Sequence, residues 1–147
     1  ELLQTRLVPD MRLTGLDGEP VLFGSLRGKW LLLHIDSGSC DARCKAKLYA
    51  LRQVRLTQGK NMDRVARIWL VDDRQPVDAN LLREYEGTLV LRASPAALAN
   101  FPATGARRDH IWLLDPLGNL VLRYPPAADP SGIKSDLQRL LRVSRIG

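Results

Sequence analysis

The run Trp30-Leu31-Leu32-Leu33-His34-Ile35 constrains this chain more than any other feature. It is almost continuously apolar, without the alternation of a strand that has one wet face. Such runs belong to strands buried on both faces, in the middle of a sheet covered by helices. The next segment has a different period. After Ser37-Gly38-Ser39, residues Cys40, Cys44, Leu48 and Leu51 fall at i, i+4, i+8 and i+11, one stripe of a helix. That helix is expected to begin near Cys40 or Asp41 and to stop at Gly59, a left-handed cap.

The rest of the chain repeats the alternation. Gly-containing turns between short apolar pieces, Leu13 to Val21, predict a β-hairpin ahead of the central strand. A second buried strand is expected at Val65 to Val71, closed by Asp72-Asp73, then a shorter helix from Ala79 to Glu86 behind Pro76 and Asp78. Thr88 to Leu91 reads as a strand, and Pro95 opens a helical turn through Asn100. Ile111 to Leu114 and Leu120 to Tyr124 flank the turn Asp115-Pro116-Leu117-Gly118-Asn119, and Ile133 to Arg142 forms a closing amphipathic helix with Ile133, Leu137, Leu140 and Leu141 inward. Strands alternating with helices imply an α/β fold with a central mixed sheet, helices on both faces and an N-terminal hairpin.

Its 147 residues suit one domain, residues 1–147, with no repeat or linker to divide them. Apolar residues are 45% and charged ones 26%, a globular composition. The net charge of +6 is spread over scattered arginines, and aromatics are only 5%, so stacking platforms for nucleic acid are lacking. An acidic protein partner or an anionic membrane surface suits that charge. No apolar run approaches the ~20 residues that cross a bilayer. The chain begins at Glu1 rather than Met, so a removed signal or anchor segment and a cut to a soluble domain are both open readings.

The chain's two cysteines, Cys40 and Cys44, are too few for a disulfide scaffold and read as a redox couple or a metal clamp. They lie where strand gives way to helix, the place where reactive groups gather in open α/β sheets. Helix N–H groups and the cations Arg43, Lys45 and Lys47 favour a thiolate at Cys40, while Asp41 opposes it. One helical turn separates Cα atoms by ~6 Å, within disulfide range. Two converging thiolates are also soft ligands for Cu(I). His34, inside an apolar strand, is expected to be a core histidine satisfied by a hydrogen bond. For His110 two readings stay open: a third ligand beside the cysteines, its ring oriented by Asp109, or a core residue.

Asp17-Gly18 with Gly28-Lys29-Trp30, then a C-x3-C pair opening a helix, resembles the start of SCO/SenC proteins. Trp69-Leu70-Val71-Asp72-Asp73-Arg74-Gln75-Pro76, then Leu82-Arg83-Glu84-Tyr85, is similar to the family's strand, Asp-rich loop and helix. Asp109-His110, Leu113 to Gly118 and Tyr124 resemble its closing strand and turn. The resemblance implies a thioredoxin-like fold, and a copper-binding or thiol-redox protein that helps assemble the copper centre of cytochrome c oxidase. It further implies Cys40, Cys44 and His110 as copper ligands, and a periplasmic domain anchored to the inner membrane. The partner would be an oxidase subunit or another copper or thiol protein. Two alternatives remain. One is a periplasmic thiol–disulfide oxidoreductase in which Cys40 attacks and Cys44 resolves. The other is a degenerate thioredoxin-like module that only binds a partner.

Overall fold

The computed structural model describes residues 2–144. Eight strands form it: β1 (Leu2–Leu7), β2 (Arg12–Gly15), β3 (Pro20–Leu22), β4 (Trp30–Asp36), β5 (Val65–Val71), β6 (Thr88–Arg92), β7 (Ile111–Leu114) and β8 (Asn119–Tyr124). The helices are α1 (Ala42–Leu56), α2 (Ala79–Glu84), α3 (Pro95–Leu98) and α4 (Pro130–Val143). A single sheet runs in the order β1-β8-β7-β4-β5-β6-β2-β3. β4 lies inside it, parallel to β5 and antiparallel to β7, so His34 is paired with Trp69 on one side and Ile111 on the other. All seven residues of β4 are buried, as the unbroken apolar run requires.

Successive β4 side chains serve opposite faces. Leu31, Leu33 and Ile35 join Leu13, Phe23, Leu98, Phe101 and Trp112 in one core. There Phe101 meets Phe23 and Trp112 edge-on, with ring centroids 6.4 and 5.6 Å apart. Trp30 and Leu32 join Leu51 and Val54 of α1 and Ile133, Leu137 and Leu141 of α4 in the other. α1 and α4 thus share one face; the opposite face is closed by α3 and the turn at Phe23. The sheet is mixed, with the hairpin β2–β3 docked on β6.

Three details depart from the sequence reading. β1 is an added edge strand, antiparallel to β8, and its residues are mostly exposed, which left no hydrophobic pattern to read. α1 ends at Leu56, because Thr57 caps it and Gly59, left-handed at φ +57°, opens a 3-10 turn instead. α1 also starts later than Cys40, with consequences for the thiols.

Candidate functional site

β4 ends at Asp36, and the chain turns through Ser37-Gly38-Ser39 before α1 begins. Asp41 caps the helix, its carboxylate accepting the Cys44 N–H at 3.0 Å. Its pKa lies below the usual carboxylate range, chiefly because of that bond. Cys40 therefore stands outside the helix, in a left-handed conformation at φ +46° that is uncommon away from glycine. Its N–H closes a turn onto the Ser37 carbonyl at 3.1 Å. This placement brings the two Cα atoms to 5.0 Å, and the sulfurs are joined in a disulfide. The sequence placed both cysteines where they could meet, and they do.

The disulfide is covered. Cys40 is 2% exposed and Cys44 fully buried, in a cluster with Leu48 of α1, Trp69 and Val71 of β5, and Leu81 and Tyr85 at α2. Val77 and Leu82 pack on its outer side. The Arg52 guanidinium lies 4.7 Å from the Tyr85 ring centroid and holds that ring from above. Both cysteines are buried, Cys40 before the helix and Cys44 within its first turn.

Beside the disulfide the strand ends carry a charge network that sequence reasoning did not assemble. Arg108 grips the Asp72 carboxylate in a fork, at 2.8 and 2.7 Å, and approaches Asp73 at 3.6 Å and Asp36 at 3.9 Å. Lys47 of α1 reaches down to the Asp36 carboxylate at 2.9 Å, and to the carbonyls of Ile35 at 2.9 Å and Arg108 at 2.6 Å. Burial pushes the Lys47 pKa down; the Asp36 carboxylate pulls it partly back. Burial likewise opposes ionisation of Asp73, yet the Ser37 hydroxyl at 2.5 Å and the Gly38 N–H at 3.0 Å hold its carboxyl below the usual range. The available signal was the position of Asp36 and Asp72-Asp73 at the carboxyl ends of adjacent parallel strands.

Of the two readings open for His110 the structure shows the core one, while His34 is buried as expected but lacks the expected hydrogen bond. His110 is buried, with Nδ1 2.8 Å from the Tyr124 carbonyl and Nε2 3.0 Å from the Thr104 carbonyl, and its ring meets Trp112 edge-on. Both nitrogens are thus occupied by backbone, and the structure does not bring His110 together with the cysteines. Among the described residues no three His, Cys, Asp or Glu side chains converge as a metal site. Asp109, beside His110, pairs instead with the Arg43 guanidinium of α1 at 2.5 Å. His34 is fully buried, but neither ring nitrogen has a partner. The expected hydrogen bond is missing because its strand neighbours are Trp69 and Ile111, and the Trp69 ring, stacked on it at 5.9 Å, offers only a π-face.

Comparison with known proteins places this arrangement. No curated protein matches the sequence at a significant level. Apo Sco1 from Thermus thermophilus superposes with a TM-score of 0.74 at 25% identity, over 95% of this chain and 94% of that one. Copper-bound ScoI from Arabidopsis thaliana gives 0.76 at 19% identity, over 95% and 100%. The thioredoxin domain of a thiol-disulfide oxidoreductase from Bacteroides vulgatus gives 0.64 at 19% identity, over 95% and 96%. The fold is thus thioredoxin-like and shared with SCO/SenC proteins, as the sequence motifs suggested. Residues 30–144, the span from β4 through α4, match the model of one protein family. The chain belongs to the family of transmembrane-like, thioredoxin-like C-terminal domains.

Proposed function

We propose that this chain is a thiol-redox protein whose Cys40–Cys44 pair exchanges with the cysteines of a partner protein. The observation that carries this reading is the closed Cys40–Cys44 bridge at the carboxyl end of β4, with Cys40 outside the helix and Cys44 in its first turn. In the reducing direction, reduced Cys40 attacks the partner's disulfide and Cys44 displaces the partner's thiol, leaving the bridge. An apolar groove of about 310 Å³ between α1 and the segment after β8, lined by Ala46, Ala50, Ile111, Pro125 and Ala128, adjoins the site and offers a partner segment a seat.

Cu(I) carriage is the second reading, favoured by the copper bound to the Arabidopsis neighbour. Here the fit is to two thiolates of a reduced pair rather than to a three-ligand site, since both His110 nitrogens face backbone carbonyls. The setting we infer for either chemistry is assembly of the cytochrome c oxidase copper centre, on an oxidase subunit or another copper or thiol protein. We place the domain in the periplasm, tethered to the inner membrane. The family's description as transmembrane-like supports the tether, and a standing disulfide suits an oxidising compartment. No helix among the described residues is long and apolar enough to cross a membrane, so the anchor would lie outside them.

The deciding experiment equilibrates the chain in dithiol redox buffers and titrates the reduced form with Cu(I) against a competing chelator. A defined two-electron potential with weak copper binding is the expected result. Tight one-to-one copper binding that survives His110→Ala and vanishes in Cys44→Ser would move the assignment to a two-thiolate copper carrier. A bridge inert to every dithiol, with no copper binding, would leave only a partner-binding module.

A further inference from the structure

Charge is distributed unevenly along the axis of β4. Six carboxylates gather at the end that carries the disulfide. Asp36, Asp72 and Asp73 stand where β4 and β5 stop, and Asp41, Asp78 and Asp129 cap α1, α2 and α4. At the opposite end, where β4 starts and α1 and α4 finish, four segments meet: 27–30, 60–64, 115–118 and 140–144. The Gly28 N–H donates to the Pro116 carbonyl at 2.8 Å, and the Arg27 side chain lies against Gly118. Arg64 donates to the Leu141 and Ser144 carbonyls at 2.9 and 3.2 Å, which ties the turn before β5 to α4 and covers that helix's carbonyl end. These segments hold five cations, Arg27, Lys29, Lys60, Arg64 and Arg142, against Asp63 and Asp115. The Asp115 carboxylate is taken up within its own turn by the N–H groups of Leu117 and Asn119 at 3.0 and 2.9 Å.

Amid those cations lies an apolar groove of about 160 Å³, lined chiefly by Trp30, Pro116, Leu117, Leu140 and Val143. Leu117 is 55% exposed and Val143 71%. Single exposed apolar side chains need no explanation, but two on one groove among unpaired cations do. Arg27, Lys29, Lys60 and Arg142 are exposed and form no ion pair among the described residues. We propose that this end of the domain docks on an anionic lipid surface. Its cations meet the phosphate headgroups, and Leu117 and Val143 enter the interface beneath them. A bilayer offers both halves of that complement, a negative plane over an apolar layer. The groove is smaller than the cavities that enclose a small-molecule ligand.

The same charge pattern sets the orientation. β4 runs from the groove to the disulfide, and its seven residues separate the two ends by about 20 Å. That is roughly two Debye lengths at physiological salt, so in the docked domain the aspartates are screened from the lipid. Inverted, they would face it directly and be repelled. Docking therefore turns the Cys40–Cys44 bridge away from the membrane, toward whatever approaches from the aqueous side. The inference stands on surface charge and needs neither the tether nor the thiol exchange proposed above. It adds a direction to both.

The test is sedimentation of the intact chain with vesicles, either phosphatidylglycerol mixed with phosphatidylcholine or phosphatidylcholine alone. Binding is expected to the anionic vesicles only, and it should fade as salt rises from about 0.05 M to about 0.5 M. Lys29→Gln combined with Arg142→Gln should weaken it about thirtyfold, or about fivefold for each charge. Leu117→Ser should weaken it about fivefold through the lost apolar contact. A control pair, Arg74→Gln with Arg83→Gln, removes the same charge from the segment that covers the disulfide and should leave binding within about twofold. All five side chains are exposed, so these variants should fold as the parent does. Spin-labelled headgroups should broaden the amide signals of segments 27–30, 115–118 and 140–144 and spare those of 37–44. No binding to anionic vesicles at low salt, equal losses in both double variants, or broadening centred on residues 37–44 overturns the proposal.

Discussion

Two buried side chains, His110 and Tyr124, are held by hydrogen bonds that tie separate segments together. His110 bridges the Tyr124 and Thr104 carbonyls within the core, so its replacement is a structural lesion. His110→Ala should lower stability by about 3 kcal/mol through the cavity and the orphaned carbonyls. The potential of the Cys40–Cys44 couple should not move, and paired denaturation and redox titrations check both halves. Tyr124 donates its hydroxyl to Asp136 at 2.9 Å. Burial first, and that bond second, raise its pKa far above the ordinary value of 10.0. A phenol raised on folding contributes stability that is complete below the unfolded value and fades as pH climbs past it. The chain should therefore lose stability above about pH 10 while Tyr124 stays protonated until unfolding. Tyr124→Phe should flatten that alkaline limb, as read by chemical denaturation at stepped pH.

At the scale of elements, the site depends on two loops held against each other. Gly38 lies so close to the Gln75 carbonyl that a Cβ would collide with that backbone oxygen, and the same loop is tied by Asp73 to Ser37 and Gly38. Residues 72–78 lead into α2, whose Leu81 and the adjoining Tyr85 cover the disulfide. Gly38→Ala must push the loop outward. We expect a stability cost of about 1–3 kcal/mol from the overpacking. Reduction of the bridge by a small dithiol should become several-fold faster, as measured by trapping the freed thiols. Unchanged reduction kinetics would mean that α2 and its loop do not limit access.

For the whole molecule, the disulfide closes so short a loop that it adds little to stability. A four-residue separation corresponds to about 2 kcal/mol in the chain-entropy account. For a domain of this size that is roughly 4–8 °C of melting temperature. Three hydrophobic clusters on a continuous sheet supply the rest, so the reduced chain should remain folded and cooperative. Calorimetry with and without reductant measures the difference. Collapse of the transition on reduction would make the bridge a structural staple and remove the case for a redox couple.

The order and type of most elements were legible because local periodicity fixes them. An unbroken apolar strand has to be interior, and an i, i+4, i+8 stripe has to face a sheet. The cysteines were legible for the same reason: their spacing and their place after β4 bring two sulfurs together in any fold of this class. β1 carried no such signal, because an exposed edge strand is held by the ladder to β8 rather than by its side chains. Nor could the sequence tell which histidine is satisfied. A ring nitrogen's partner is set by backbone carbonyls distant in sequence, Tyr124 for His110, and for His34 by the presence of Trp69 where a polar group was expected. Sequence by itself determined which strands and helix stripes face the core and which thiols meet. Only tertiary structure decided what those buried polar atoms face, because that depends on contacts between segments whose relative placement no local pattern encodes.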